Sequence, residues 1–139
     1  MLERVHEHIV SELQQSSRTD TIFVVTAVAF NLIVLGVNSA VAGEAAEYNA
    51  DPSADVILVV LIVMSILING ICMAALYFGR GTRNKLLHGL LSMYGDNQVD
   101  RYYDPSLLTN YGKRYWLFAG VILCLAVTGI VVPLVLRFV

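Results

Sequence analysis

TIFVVTAVAFNLIVLGVNSAVA, residues 21–42, contains no Asp, Glu, Lys, Arg or His. As a helix rising about 1.5 Å per residue it spans about 33 Å, against a hydrocarbon core of about 30 Å. Two further runs share the property, VILVVLIVMSILINGICMAALYF at 56–78 and YWLFAGVILCLAVTGIVVPLVL at 115–136. The chain is 57% hydrophobic and only 14% charged, where soluble domains carry about a quarter charged residues. These features predict an all-α membrane protein with three transmembrane helices, forming a single membrane domain over residues 1–139.

Basic residues set the expected orientation. Eight of the nine Lys and Arg fall before span 21–42 or between spans 56–78 and 115–136, and only Arg137 lies on the other side. The connection 43–55 carries Glu44, Glu47, Asp51 and Asp55 but no base. Positive residues near span ends favour the cytoplasm. The chain is therefore expected in the cell membrane as a multi-pass protein, N-terminus and loop 79–114 cytoplasmic, C-terminus outside. Ala40-Val41-Ala42 before Gly43 resembles a signal-peptidase site. The preceding segment argues against cleavage, since Glu3, Glu7, Glu12 and Asp20 outnumber Arg4 and Arg18.

Ahead of the first span, Leu2, Val5, Ile9, Val10 and Leu13 recur at helical spacing. They predict an N-terminal amphipathic helix over about 2–15, lying on the membrane or under a partner. Its acidic balance disfavours simple adhesion to anionic lipid. Ser17-Arg18-Thr19-Asp20 reads as the cap of a new helix, with Asp20 at the positive end of the span's dipole; one continuous helix is the competing reading. Asp51-Pro52-Ser53 and Asp104-Pro105-Ser106 each pair a capping Asp with Pro, placing helix starts near 52 and 105. Within loop 79–114, Leu86, Leu87, Leu90, Leu91 and Tyr94 form the apolar face of a short cytoplasmic helix between spans 2 and 3, ended by Gly95 as C′ residue. The four leucines are the candidate partner contacts, with lipid and the N-terminal helix as the alternative covers. Tyr77, Phe78, Tyr111, Tyr115 and Trp116 read as an interfacial aromatic belt.

Signs of chemistry are sparse. No ionisable residue lies within a span, where proton pumps and many carriers need one. His6, His8 and His88 all fall outside the spans, and His6 and His8 point to different helix faces. Cys72 and Cys124 form no CxxC motif and read as small packing residues. Asn49, Asp51, Ser53 and Asp55 alternate as calcium ligands might, without the glycine turn and distal Glu of an EF-hand. No catalytic residue, cofactor, metal or nucleic-acid partner is expected.

The spans do carry polar residues at Asn31, Asn38 and Asn69, each of which needs a hydrogen-bond partner in hydrocarbon. Asn31 and Asn69 fall at equal depth on adjacent antiparallel spans, so a direct bond between them is expected, with pairing between copies or with a partner subunit as the competing account. Small residues repeat every four positions at Gly36/Ala40, Ser39/Gly43, Gly70/Ala74 and Gly120/Cys124/Thr128, a spacing that lets helices approach closely. Asn31, Asn38, Asn69, Gly36, Gly70 and Gly120 are thus candidates for helix packing or pore lining. The expected function is a non-catalytic accessory or scaffold subunit, packed against other membrane subunits, copies of itself and membrane lipid. A small homo-oligomeric channel lined by the Asn31/Asn38 face is the alternative.

Overall fold

A computed structural model describes residues 1–46 and 52–139. It has three helices, α1 (Leu2–Ala46), α2 (Pro52–Asp96) and α3 (Ser106–Phe138), with a 3-10 turn at Asp100–Tyr102 before α3. Each is long and apolar enough to cross a membrane. The starts of α2 and α3 fall where the two Asp-Pro pairs put them. At α3, Asp104 Oδ1 accepts from the Ser106 backbone N–H at 2.9 Å. Asp51 lies outside the described residues.

Two expected boundaries are absent. Residues 2–15 are not a separate helix: α1 continues through Ser17-Arg18-Thr19-Asp20 into the span. No Gly or Pro interrupts this stretch, and the threonine hydroxyls at 19 and 21 are satisfied within the helix. Thr19 Oγ1 donates to the Gln15 carbonyl at 2.9 Å and Thr21 Oγ1 to Ser17 at 3.0 Å. Likewise α2 runs from span 56–78 straight through the leucines, so residues 79–96 of the expected loop extend that span. Helix α2 does not end on Gly95 but around Gln98, whose φ is +57°. The Gln98 N–H reaches the Gly95 carbonyl and the Val99 N–H the Tyr94 carbonyl, the paired bonds of a Schellman motif with Gln98 at C′.

At 45 residues, α1 and α2 are each about 68 Å long, roughly twice a hydrocarbon core. They form one antiparallel hairpin held in constant register. The 25 residues from His6 to Asn31 are matched by 25 from Tyr94 back to Asn69. Helix α3 returns parallel to α1 and packs on both.

Buried positions alternate by threes and fours, as in left-handed bundles: Ala27, Asn31, Val34, Asn38, Ala42 and Ala45 on α1, and Ser65, Asn69, Cys72 and Leu76 on α2. The apolar core gathers Ala27, Cys72, Leu76, Tyr115 and Ile122, flanked by Phe23, Ile68 and Phe118. Pro133 is buried inside α3, which continues past it to Phe138.

Candidate functional site: polar rungs inside the bundle

The hairpin is joined by polar rungs at four levels. The deepest is formed by Asn31 and Asn69, 1% and 6% exposed. Asn31 Nδ2 donates to Asn69 Oδ1 at 2.8 Å, and Asn69 Nδ2 donates back to Asn31 Oδ1 at 2.9 Å. The second proton of each amide goes one turn back along its own helix, to the Ala27 carbonyl and to the Ser65 carbonyl, both at 2.8 Å. This satisfies the amides where lipid offers nothing. Asn38, one heptad further along α1, is wholly buried, yet neither its Nδ2 nor its Oδ1 has a partner among the described residues. A neighbouring chain cannot reach it through the bundle.

Near the end of the apolar run, Asp20 of α1 pairs with Arg83 of α2, both side chains largely buried. Asp20 is therefore not a helix cap but the acid of an interhelical ion pair. It is admitted by Gly79, one turn before Arg83: a Cβ there would lie 2.6 Å from Asp20 Oδ1. The guanidinium of Arg83 also lies over the Tyr111 ring, 5.7 Å from its centroid, which ties α3 to the pair. Neither Gly79 nor the pairing of Asp20 with Arg83 was expected. The available signal was one acid and one base just beyond the apolar runs of adjacent antiparallel spans, with a glycine one turn away.

At the far end of the extensions, His6 Nε2 meets the Tyr94 hydroxyl at 3.1 Å, and Tyr103 packs against Tyr94. At the opposite end Arg137 of α3 clasps both partners of the hairpin. Its Nε and Nη2 bond the two Asp55 carboxylate oxygens at 2.9 and 3.1 Å, and Nη1 donates to the Ala45 carbonyl at 2.6 Å. The base on the sparsely basic side thus neutralises an acid in the first turn of α2 and satisfies a carbonyl in the last turn of α1.

The remaining candidates divide sharply. The leucine face is covered from within: Leu87 and Leu90 are 2% and 5% exposed, level in register with Leu13 and Val10, while Leu86 and Leu91 are half-buried. Of the covers open to this face, the N-terminal extension supplies that of Leu87 and Leu90, in an internal seam between the two extensions. Gly36, Gly70 and Gly120 do the reverse. All three face outward, and a Cβ at any of them meets nothing within 4 Å among the described residues. They do not pack the helices of one chain together; small buried contacts fall instead at Ala27, Ala42, Ser65 and Ala119. His8 and His88 are exposed, Cys72 is buried and Cys124 exposed, and both cysteines are free. Asn49 and Asp51 of the calcium-like pattern lie outside the described residues. Among the described residues no cluster of His, Cys, Asp or Glu could hold a metal ion.

Fold and site together define an all-helical membrane protein: a three-helix bundle with Asn31, Asn38, Asn69, Asp20 and Arg83 turned inward beside an apolar core, and with Gly36, Gly70 and Gly120 on its outer surface. No family model, curated protein or solved structure matches the chain.

Proposed function

We propose that the protein is a non-catalytic membrane subunit, a scaffold or accessory component of a larger assembly formed with other membrane subunits or with copies of itself. The observation that carries this reading is the outward placement of the small-residue strips at Gly36/Ala40 and Gly120/Cys124/Thr128. Close-packing surfaces of that kind drive helix association in lipid, where apolar area alone gives no preference for protein over acyl chain. The inward rungs support a rigid bundle whose exterior is free to dock. The pore reading has less support, since Asn31 and Asn38 are buried among the chain's own three helices.

In this reading the N-terminus and the paired extensions are cytoplasmic and the C-terminus lies outside, as the division of basic residues favours. Asn97→Cys and Ala46→Cys, each in a chain lacking Cys72 and Cys124, test it with an impermeant maleimide on intact cells. Labelling at 46 and not at 97 is expected; the reverse overturns the orientation.

Assembly is tested by mass measurement in nanodiscs and by identifying what copurifies in mild detergent. A complex is expected, weakened by Gly36→Leu or Gly120→Leu while the bundle stays folded. A lone chain with nothing copurifying overturns the scaffold reading. A homo-oligomer that conducts ions in a planar bilayer replaces it with the channel.

A further inference from the structure

We propose that the bundle holds one buried water molecule between the Asn38 amide of α1 and the Gly129 carbonyl of α3. Asn38 is 0% exposed, and its Nδ2 and Oδ1 have no partner among the described residues. In hydrocarbon each such atom costs free energy until something bonds it. Two features of one turn of α3 supply the means.

The first is a freed acceptor. Pro133 is fully buried inside α3 and has no N–H. The carbonyl of Gly129, four residues earlier, therefore lacks its helical donor. The second is space. Gly129 is itself buried, yet a Cβ added to it would meet nothing within 4 Å among the described residues. Gly36, Gly70 and Gly120 share that freedom because they lie on the surface. At Gly129 the open space is internal, with room for a methyl group and so for a water.

Register brings amide, carbonyl and space together. Arg83 meets both Asp20 of α1 and Tyr111 of α3, 91 positions apart. At the other end of the bundle Arg137 reaches the Ala45 carbonyl, 92 positions before it. Between these ties α1 and α3 run parallel in one register, which sets Asn38 level with Gly129 and Ile130. Gly129 also faces inward, seven residues after Ile122 and four before Pro133 on the buried stripe of α3. On α2 the register of the Asn31–Asn69 rung puts Leu61 and Ile62 at this level, and they offer no polar side chain.

A primary amide presents its oxygen and its syn N–H side by side. One water accepts from Nδ2, donates one hydrogen to Oδ1 and gives the other to the Gly129 carbonyl, making about the three bonds usual for a buried water. A metal cation does not suit the place. Calcium takes about six to eight oxygen ligands, and here only the Asn38 and Gly129 oxygens converge among the described residues, beside Nδ2 protons that repel it. A leucine at 38 would replace amide and water together, so the water satisfies Asn38 without making it the more stable choice.

Rotating-frame NMR of the chain in deuterated bicelles reads a bound water directly, because dipolar transfer from water and proton exchange with it carry opposite signs. The Asn38 side-chain amide, assigned by its loss in Asn38→Leu, is expected to show a dipolar cross-peak to water. The Asn31 and Asn69 amides, closed on each other, show none. Gly129→Ala puts a methyl into the space and abolishes the Asn38 cross-peak, while circular dichroism shows the helices intact and the Asn31 signals stay in place. Gly70→Ala, the same change on the outer surface, leaves the cross-peak as it was. Absence of the cross-peak in the wild-type chain overturns the site. So does its survival in Gly129→Ala, or a scalar coupling across a direct bond from Asn38 Nδ2 to the Gly129 carbonyl.

Discussion

Asn31 and Asn69 use both amide protons and both carbonyl oxygens on each other and on their own helices. Neither side chain has a donor left for a third partner. The rung is closed, and this separates it from Asn38, which has the same side chain, a deeper burial and no partner among the described residues. One chemistry at two levels of a single helix thus has opposite energetic signs.

Asn31→Leu and Asn69→Leu are each expected to destabilise the bundle, because each strands the other amide. The double variant costs less than the two single losses together, with a coupling of about 0.6–2 kcal/mol in a cycle measured by unfolding in detergent. Additive losses would show that the rung contributes nothing as a pair.

Asn38→Leu removes an amide that bonds no group of the chain, so stability is expected to hold or to rise, by as much as about 1–3 kcal/mol. The same unfolding assay places it beside Asn31→Leu. A loss as large as that of Asn31→Leu would refute the contrast.

Asp20→Ala leaves Arg83 buried without its counter-ion and is expected to cost about 3–5 kcal/mol. Gly79→Ala pushes a methyl into the carboxylate and destabilises the wild-type chain, but it is tolerated once Asp20 is Ala. Thermal melts of the two single variants and the double variant read this rescue. An equal penalty for Gly79→Ala in both backgrounds would mean that the glycine does not serve Asp20.

Gln98 holds a positive φ that an L-residue adopts at a cost and glycine adopts freely, so Gln98→Gly is expected to stabilise by about 1 kcal/mol. Gly95 lies inside α2 with open space at its Cβ position, so Gly95→Ala is also stabilising, by about 0.5–1 kcal/mol. Were Gly95 the left-handed cap, alanine there would destabilise instead. Equilibrium unfolding of the two variants decides between the positions.

The Ser106 backbone N–H, with its hydroxyl, holds the Asp104 carboxyl below the ordinary aspartate range. A depressed folded value means that the cap stabilises α3 fully above the unfolded aspartate pKa and is lost as pH falls through the folded one. Amide exchange at Ser106 should therefore accelerate only in acid, while Asp104→Ala shows the faster exchange at neutral pH. A pH-independent exchange ratio between the two chains would remove the cap.

Much of the architecture was legible before any coordinate. Span length is a local property, since bilayer thickness demands about 20 apolar residues and the chain shows three such runs. The Asn31–Asn69 rung followed from counting depth on two antiparallel helices. The Asp-Pro pairs located helix starts because proline's fixed φ acts within a single turn. Helix continuity was harder to read. Ser17 to Thr21 resembles a cap, yet the Thr19 and Thr21 hydroxyls are equally satisfied by carbonyls one turn back, and packing of the extensions decides between the two.

The sequence by itself thus determined the class of the protein, the number of spans and the level of their polar residues. Only the tertiary structure decided which way each face looks. A span apolar around its whole circumference carries no contrast between lipid and interior, so spacing marks Gly36, Gly70 and Gly120 as packing positions without saying which way they look, and in the bundle they lie outward. Asp20 and Arg83, 63 positions apart, become partners only when the two helices run antiparallel in the register set by Asn31 and Asn69. That register is a property of two surfaces in contact, and no single stretch of chain contains it.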